Sequence, residues 1–253
     1  MKSLTLIEEL SLNALPAVRT LHLDGWILRF AGGYSKRANS VNPLYPPAGA
    51  LDLSKKIGIC ERLYRAEGLP PIFKLTSHSY PSSLDQVLEE KGYQPIASTS
   101  VQTLNVAGLD LPASGQIQCT PEPTEAWLAA VARIGAYDAD RRALFGPLLQ
   151  QIVPPACFGL LYMEGEAIAA GYAVAKAGFV GLFQIGTDPR FRRRGYARSL
   201  TRHLLHWGQS QEAHTAYLQV TRQNTPALRL YEGLGFREKY CYWYRLGSTD
   251  PVT

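Results

Sequence analysis

The sequence predicts a mixed α/β fold in which a central mixed β-sheet is flanked by helices and the chain forms two related halves. Short apolar strands alternate with amphipathic helices along the 253 residues. A segment rich in Gly, Pro and small residues, 107–115, indicates a connection between two small domains. We therefore expect a first domain over residues 1–110 and a second over 111–253.

The first half is predicted to contain three helices and four strands. Leu6, Ile7 and Leu10 share one face of the first helix, which ends before Pro16. In order, the predicted elements are a helix at 5–15, strands at 26–30 and 38–44, a helix at 51–66 capped by Gly68, a strand at 71–76, a helix at 82–91 ended by Gly92, and a strand at 97–106.

The second half is predicted to contain four helices and five strands, and its end repeats the end of the first half. The helices are expected at 126–134, 141–151, 196–209 and 225–234, and the strands at 157–163, 167–175, 179–185, 215–221 and 238–246. Segment 71–104 aligns with 216–246, so that Pro81 matches Pro226 and Gly92 matches Gly235. Chance similarity between two strand–helix–strand units is the alternative to an internal repeat.

Composition excludes several classes of protein. With 46% hydrophobic residues, 22 Gly and 17 Pro, the chain is neither disordered nor fibrous. The absence of a long apolar run or a signal-like start predicts a cytoplasmic protein that does not cross a membrane. The four Cys are expected to be reduced thiols, and no metal motif is evident. His203 and His206 share a helix face, but the pattern offers no third ligand.

The formal charge of +5 is concentrated in one segment. Between Asp188 and Arg202 the sequence has six Arg and one Asp. This segment joins a predicted strand to a predicted helix, whose N-terminus offers unpaired N–H groups to a pyrophosphate. The confined charge favours one bound anion and argues against nucleic acid, for which no recognition pattern is present. A solvated helix start is the alternative explanation of the Arg run.

Two motifs in the second half carry a resemblance to a known family. Arg192 to Ala197 match the pattern [QR]-x-x-G-x-[GA], and Asn224 opens an N-x-x-A-x-x-x-Y-x-x-x-G-F pattern that contains Tyr231 and ends at Phe236. Together they resemble the GNAT superfamily of acyl-CoA-dependent N-acyltransferases over about 118–246. The first half lacks a basic Gly-rich loop near 45–55, so the chain is similar to tandem GNAT proteins with two GNAT-like halves, of which the N-terminal one is degenerate.

The resemblance implies acetyl-CoA as co-substrate and assigns roles to residues of the second half. Asn224 would hydrogen-bond the pantetheine, and Tyr231 would protonate the leaving thiolate as the catalytic acid. Each has a structural alternative, a helix cap for Asn224 and core packing for Tyr231. The remaining expected cofactor-binding residues are Ile185, Gly186 and Thr187, whose backbone would pair with the pantetheine, and Arg192, Arg193, Arg194, Gly195, Tyr196 and Ala197, which would hold the pyrophosphate.

The general base is not assigned by these patterns. Gln184 lies on the predicted central strand, where GNAT enzymes often carry a Glu, and an amide cannot act as a base. Asp138 and Asp140 would either line the acceptor site or belong to a solvated loop that caps a helix. In the first half, Trp26, Arg29 and Asn39 belong to a block that would either face the acceptor or close the sheet.

The function predicted from the sequence is transfer of an acetyl group from acetyl-CoA to an amine by direct attack in a ternary complex, without a metal. A non-catalytic acyl-CoA sensor is the alternative, because the Glu base is missing. The sequence predicts an amine-bearing acceptor, either a small molecule or a protein, and leaves its identity and the oligomeric state open.

Overall fold

The computed structural model describes residues 2–49, 51–111 and 116–248. The chain divides into two compact units, residues 1–100 with 240–253 and residues 101–239. The predicted domains, 1–110 and 111–253, are defined by the Gly- and Pro-rich segment 107–115, and that division stays a prediction. The end of the predicted connection, 112–115, lies outside the described residues.

The first unit contains three helices and a five-membered run of strands. In chain order these are α1 (Lys2–Ala14), β1 (Arg19–Leu23), β2 (Trp26–Phe30), β3 (Val41–Asn42), α2 (Leu53–Ala66), β4 (Ile72–Thr76) and α3 (Leu84–Glu90), with β11 (Arg237–Leu246) entering from the other unit. The strand order is β1-β2-β3-β4-β11. Only the β3–β4 pair in this run is parallel, so the sheet is mixed. The predicted strand at 38–44 is reduced to two residues, and β1 was not predicted.

The second unit contains the longer helices and strands. It receives the end of β5 (Gln94–Asn105) and continues with β6 (Ile117–Thr120), α4 (Glu125–Ile134), α5 (Ala139–Leu149), β7 (Ala156–Met163), β8 (Glu166–Lys176), β9 (Phe179–Thr187), α6 (Tyr196–Ser210), β10 (Thr215–Thr221) and α7 (Thr225–Glu232). The strand order is β5-β10-β9-β8-β7-β6. Strand β10 runs parallel to β9, whereas β6, β7, β8 and β9 are antiparallel neighbours. The predicted mixed sheet is confirmed.

Helices α4 and α6 cover opposite faces of the β7–β9 sheet. Gly159 lies under Leu200 of α6, where an added Cβ would come within 3.0 Å of that side chain. The neighbouring Phe158 packs edge-on against Trp127 of α4, with ring centroids 5.0 Å apart. Because successive residues of a strand point to opposite faces, these contacts place the two helices on different sides of the sheet.

The repeated strand–helix–strand order is present in both predicted copies. The first copy is β4–α3–β5 and the second is β10–α7–β11. The chain leaves the first unit within β5 and returns to it within β11. In the first unit, β11 pairs with β4, with Trp243 opposite Leu75.

Candidate functional site

Strand β9 is bulged near its end. The β8–β9 register passes from Tyr172–Phe183 to Ala170–Gly186, so Gln184 and Ile185 face Gly171 alone. Gln184 has a φ of +54°, which marks the kink in the backbone. A Cβ on Gly171 would lie 2.5 Å from Ile185 Cδ1 and 3.3 Å from Ile185 Cα, so a larger residue opposite the bulge would displace the Ile185 side chain. Such a bulge turns backbone groups away from the sheet's hydrogen-bond ladder, beside the predicted pantetheine site.

The loop after β9 is fixed by Asp188. Its carboxylate accepts hydrogen bonds from the backbone and guanidinium of Arg190 and forms an ion pair with Arg133. The hydrogen bond from the Arg190 guanidinium is the main reason that the pKa of Asp188 lies well below its usual range. Arg190 also contacts Glu166. These bonds hold the short 3-10 turn Pro189–Phe191 that leads into the arginine cluster.

The six arginines of this segment do not act alike. Arg198 donates to Gly233 O over 3.2 Å and Arg202 donates to Asp110 O over 3.1 Å, so together with Arg190 they bind their own chain. Arg192 donates from Nε to Thr187 O over 3.2 Å. The guanidinium of Arg194 lies 5.8 Å from the Phe191 ring. The cluster is therefore partly structural, which weakens a nucleic-acid interpretation further.

Helix α6 begins without a side-chain cap. Gly195 is its N-cap, has a φ of +86° and makes no side-chain capping bond. Arg193, two residues earlier, also has a positive φ, +63°. A Cβ on Gly195 would meet no atom within 4 Å, so open space lies in front of the helix end. The first N–H groups of a 15-residue helix and its positive dipole end therefore point to an anion-binding position.

Helix α7 contributes the second wall. Asn224 is its N-cap, and Asn224 Oδ1 accepts from Ala227 N over 3.3 Å, so the capping interpretation is correct. Asn224 also lines the cavity, and its role toward pantetheine stays a prediction. Tyr231 is 8% exposed and packs edge-on against Phe236, with centroids 5.8 Å apart. Burial raises the pKa of Tyr231 to about 12, so its hydroxyl is protonated at neutral pH.

These elements enclose a cavity of about 1190 Å³ within the second unit. Of the eleven residues expected at the site, all except Arg194 line it. The lining residues that the sequence interpretation did not assign are Val131, Ile134, Gly135, Tyr137, Arg141, Ala170, Gln184, Phe191, Arg198, Thr225, Pro226, Ala227, Arg229 and Leu230.

One end of the cavity is formed by the junction of α4 and α5. Tyr137 donates from its hydroxyl to Gln184 Oε1 over 3.1 Å, and the Arg141 guanidinium lies 3.9 Å from the centroid of the Tyr137 ring. Asp138 accepts from Arg141 N over 2.8 Å as the cap of α5. Asp138 and Asp140 are exposed and are not among the lining residues. Within the described part of the chain, the cavity wall therefore carries no carboxylate.

Other sequence features lie away from the cavity. Trp26 and Arg29 are buried in the first unit, where Arg29 donates to the carbonyls of Arg37, Leu12 and Leu15. The four cysteines are free thiols. Over residues 2–49, 51–111 and 116–248, no three His, Cys, Asp or Glu side chains are grouped to hold a metal ion. In the same ranges, no helix has the length and apolar character needed to cross a bilayer.

Sequence comparisons relate the chain to acetyltransferases. The family described as "Probable histone acetyltransferase Rv0428c C-terminal" matches residues 4–245. The uncharacterized N-acetyltransferase YobR of Bacillus subtilis is 25% identical over 245 residues, covering 95% of this chain and 97% of that protein. The ribosomal protein bS18-alanine N-acetyltransferase of Salmonella typhimurium is 44% identical over 57 residues, which span 22% of this chain and 38% of that enzyme.

Solved structures share the fold. A GCN5-related N-acetyltransferase from Kribbella flavida superposes with a TM-score of 0.68 at 19% identity, covering 96% of this chain and 95% of that one. A tandem GNAT protein from the clavulanic acid biosynthesis pathway superposes with a TM-score of 0.64 at 10% identity, covering 98% and 89%. At these low identities, the structural comparison concerns the fold alone. Together with the family match over residues 4–245, it confirms the predicted resemblance to the GNAT superfamily.

Proposed function

The chain belongs to the Rv0428c C-terminal acetyltransferase family within the GNAT superfamily, and from this membership we propose that it transfers an acetyl group from acetyl-CoA to an amine. The observation that carries the proposal is one cavity bounded by a bulged strand, an uncapped helix N-terminus and a buried tyrosine. Residues 111–253 would form the acetyltransferase domain, and residues 1–110 a degenerate GNAT-like domain.

The residues at the end of β9 and the start of α6 fit the phosphate and pantetheine parts of acetyl-CoA. The Thr187 hydroxyl is buried and has no hydrogen-bond partner in the structure, although it belongs to the cavity wall. A buried, unsatisfied hydroxyl is costly, and a ligand in the cavity would supply the missing partner once the Thr187 side chain turns its hydroxyl toward it. The N–H groups from Arg192 to Ala197 would hold the pyrophosphate, with the exposed Arg192 and Arg193 side chains adding charge-assisted hydrogen bonds.

The remaining cofactor-binding residues follow the chain along the cavity. Ile185, Gly186 and Thr187 would offer backbone groups to the pantetheine as an added strand does, and the bulge at Gln184 releases the neighbouring groups from the sheet. Asn224 would contribute a side-chain amide from the opposite wall. A backbone N–H at the bulge would stabilise the oxyanion that forms when an amine attacks the thioester.

Tyr231 would protonate the departing CoA thiolate. Its pKa of about 12 keeps the phenol protonated at neutral and moderately alkaline pH. The described lining residues offer no carboxylate as a base. We therefore propose that the acceptor amine enters uncharged, or loses its proton to water, and attacks the thioester directly.

The missing carboxylate also favours one alternative, a sensor that binds acetyl-CoA without turnover. Tyr231→Phe separates the two functions when acetyl-CoA affinity and CoA release in the presence of an amine panel are both measured. An acetyltransferase would lose roughly 10²- to 10⁴-fold in kcat with its acetyl-CoA affinity kept. Tyr162→Phe is the matched control, because Tyr162 lies on β7 in the same unit and is not among the cavity residues.

One result would contradict the enzymatic proposal, and another would contradict the role of Tyr231. Acetyl-CoA binding without CoA release from any amine in the unmodified protein would favour the sensor. Full activity of Tyr231→Phe would remove this residue from the mechanism. Tyr231→Phe and the control should unfold at similar temperatures, because Tyr231→Phe keeps the ring that packs on Phe236.

A further inference from the structure

The cavity has two chemically different ends. Most of its arginines belong to the loop before α6, to α6 itself or to α7, where the pyrophosphate is proposed to lie. Arg141 is different, because it lines the cavity from the start of α5, beside Tyr137 and the β9 bulge at Gln184. The bulge is also the place where the thioester is proposed to react. Arg141 is thus a cationic group on the acceptor side of the reacting atoms.

The surroundings of Arg141 orient its guanidinium. The group lies 3.9 Å from the centroid of the Tyr137 ring, a distance typical of a cation–π contact. The ring is itself held at both ends, since its hydroxyl donates to Gln184 Oε1 and its edge packs against Phe145 with centroids 5.6 Å apart. Tyr137 is 7% exposed. One aromatic ring therefore connects the guanidinium to the bulge of β9.

The charge of this end selects among amines. The described lining residues include no Asp or Glu that would attract a second ammonium group, so a polycationic acceptor finds no counter-charge here. An arginine beside an aromatic ring instead suits a planar anion, because its N–H groups match both oxygens of a carboxylate. A nearby cation also lowers the pKa of the acceptor's ammonium group, which favours the neutral, nucleophilic form.

We propose that the acceptor is a small amine that carries a carboxylate, of the amino acid class, and that Arg141 binds this carboxylate. The inference rests on the proposed acetyl transfer, since it names the second substrate of the same cavity. Binding through Arg141 places the amine on the bulge side of Tyr137. There the neutral nitrogen forms a bond to the thioester carbon, and the carbon–sulfur bond breaks. The thiolate takes a proton from Tyr231, the nitrogen releases its extra proton to water, and water returns a proton to the Tyr231 phenolate.

The test compares amines that differ only in their carboxylate. CoA release is followed with L-alanine, L-aspartate, L-glutamate and β-alanine, and with the corresponding carboxamides. The amine of a carboxamide is less basic and more of it is neutral, so chemical reactivity alone favours the amides. We expect the acids to have the higher kcat/KM by about tenfold or more.

Variants then assign the preference to one side chain. Arg141→Gln should lower kcat/KM for the acids by roughly 10- to 100-fold, leave the amides within about twofold, and leave acetyl-CoA affinity unchanged. Arg141→Lys should restore part of the loss, because it returns the charge without the planar fork. Arg142→Gln is the matched control, since Arg142 is the next residue of α5, is exposed and does not line this cavity.

Three results would overturn the inference while leaving acetyl transfer intact. The first is a higher kcat/KM for carboxamides, polyamines or a peptide that begins with alanine. The second is an equal loss of kcat/KM for acids and amides in Arg141→Gln. The third is a loss of acetyl-CoA affinity in the same variant. If no amine is acetylated, the proposed function fails instead. Calorimetry of the CoA-loaded protein with L-glutamate tests the Arg141 carboxylate subsite separately from turnover. Binding that is lost in Arg141→Gln supports this subsite, whereas absence of binding, or binding that Arg141→Gln keeps, overturns it.

Discussion

Helices α6 and α2 each follow a strand and a loop, but their N-termini are completed differently. In the second unit, α6 starts at Gly195 with no side-chain cap and open space ahead of it. In the first unit, α2 starts at Asp52, whose carboxylate accepts from Lys55 N over 3.1 Å. The positive end of α2 therefore already faces an anion of its own chain, whereas that of α6 does not.

The loop before α2 is completed in the same way. Asp24 Oδ1 accepts from the N–H groups of Ala48 and Gly49 over 2.8 Å and 2.7 Å, and Lys56 Nζ lies 3.3 Å from Asp24 Oδ2. A carboxylate of the chain thus occupies the N–H donors of this loop. The first unit therefore satisfies the donors of its strand–loop–helix with its own side chains, whereas α6 of the second unit begins without a side-chain cap.

The largest effect, on acetyl-CoA affinity, is expected from a side chain placed at the N-terminus of α6. Gly195→Asn keeps a residue that tolerates positive φ, so the fold should persist while the side chain projects into the space before α6. We expect acetyl-CoA affinity to fall by about 100-fold, equivalent to roughly 2.7 kcal/mol, measured by calorimetry.

Gly165→Asn is the control for this substitution. Gly165 also has a positive φ, +81°, and a Cβ added there would likewise meet no atom within 4 Å, but Gly165 lies in the turn between β7 and β8. The control should cost the same backbone strain without changing acetyl-CoA affinity. Equal affinities for the two variants would mean that the open end of α6 is not the pyrophosphate site.

The second-largest effect, on the stability of the fold, is expected from removing the charge of Asp24. Asp24→Asn keeps the shape and the acceptor oxygen but leaves the buried Lys56 without its carboxylate. The Gly49 N–H bond and then those of Ala48 and Lys56 lower the pKa of Asp24. Because the folded pKa lies below the unfolded value of about 3.9, Asp24 stabilises the fold above that pH and loses this contribution as the pH falls.

Urea unfolding at several pH values measures this contribution. Asp24→Asn should be less stable than the unmodified protein at neutral pH, and the difference should shrink below pH ~4. Acetyl-CoA affinity should stay the same, since Asp24 belongs to the first unit. A stability difference that is independent of pH would show that the carboxylate charge is not what completes the loop.

The regular elements of the second unit were predictable because burial follows the sequence pattern. Strand β10 was predicted with its observed bounds, since its apolar residues are buried. Strand β1 was missed because four of its five residues are exposed and offer no apolar face. The positions of the unit boundaries within β5 and β11 were also unpredictable. A strand–helix–strand repeat has the same order along the sequence whichever unit contains its last strand.

The cavity was predictable only where a local motif describes it. The run from Arg192 to Ala197 and the Asn224–Tyr231 spacing are local signals, and both sets reach one cavity. Arg190 contacts Glu166, 24 positions earlier, and Arg202 donates to Asp110, 92 positions earlier, so no local pattern shows which arginines bind their own chain. Tyr137 and Arg141 were missed because no local motif describes the junction of α4 and α5, which the fold brings to the cavity.

The smallest effect is expected at the N-cap of α2. It tests whether this cap alone accounts for the difference between the N-termini of α2 and α6. Asp52→Ala should lower the free energy of unfolding by about 1 kcal/mol, the usual value of an N-cap, and Asp52→Ser should restore most of it. Acetyl-CoA should still bind with a stoichiometry of one, because the loop before α2 keeps its Asp24 carboxylate and has no arginine run. A second molecule bound by Asp52→Ala in calorimetry would contradict this, and would mean that one carboxylate closes the first unit to the ligand.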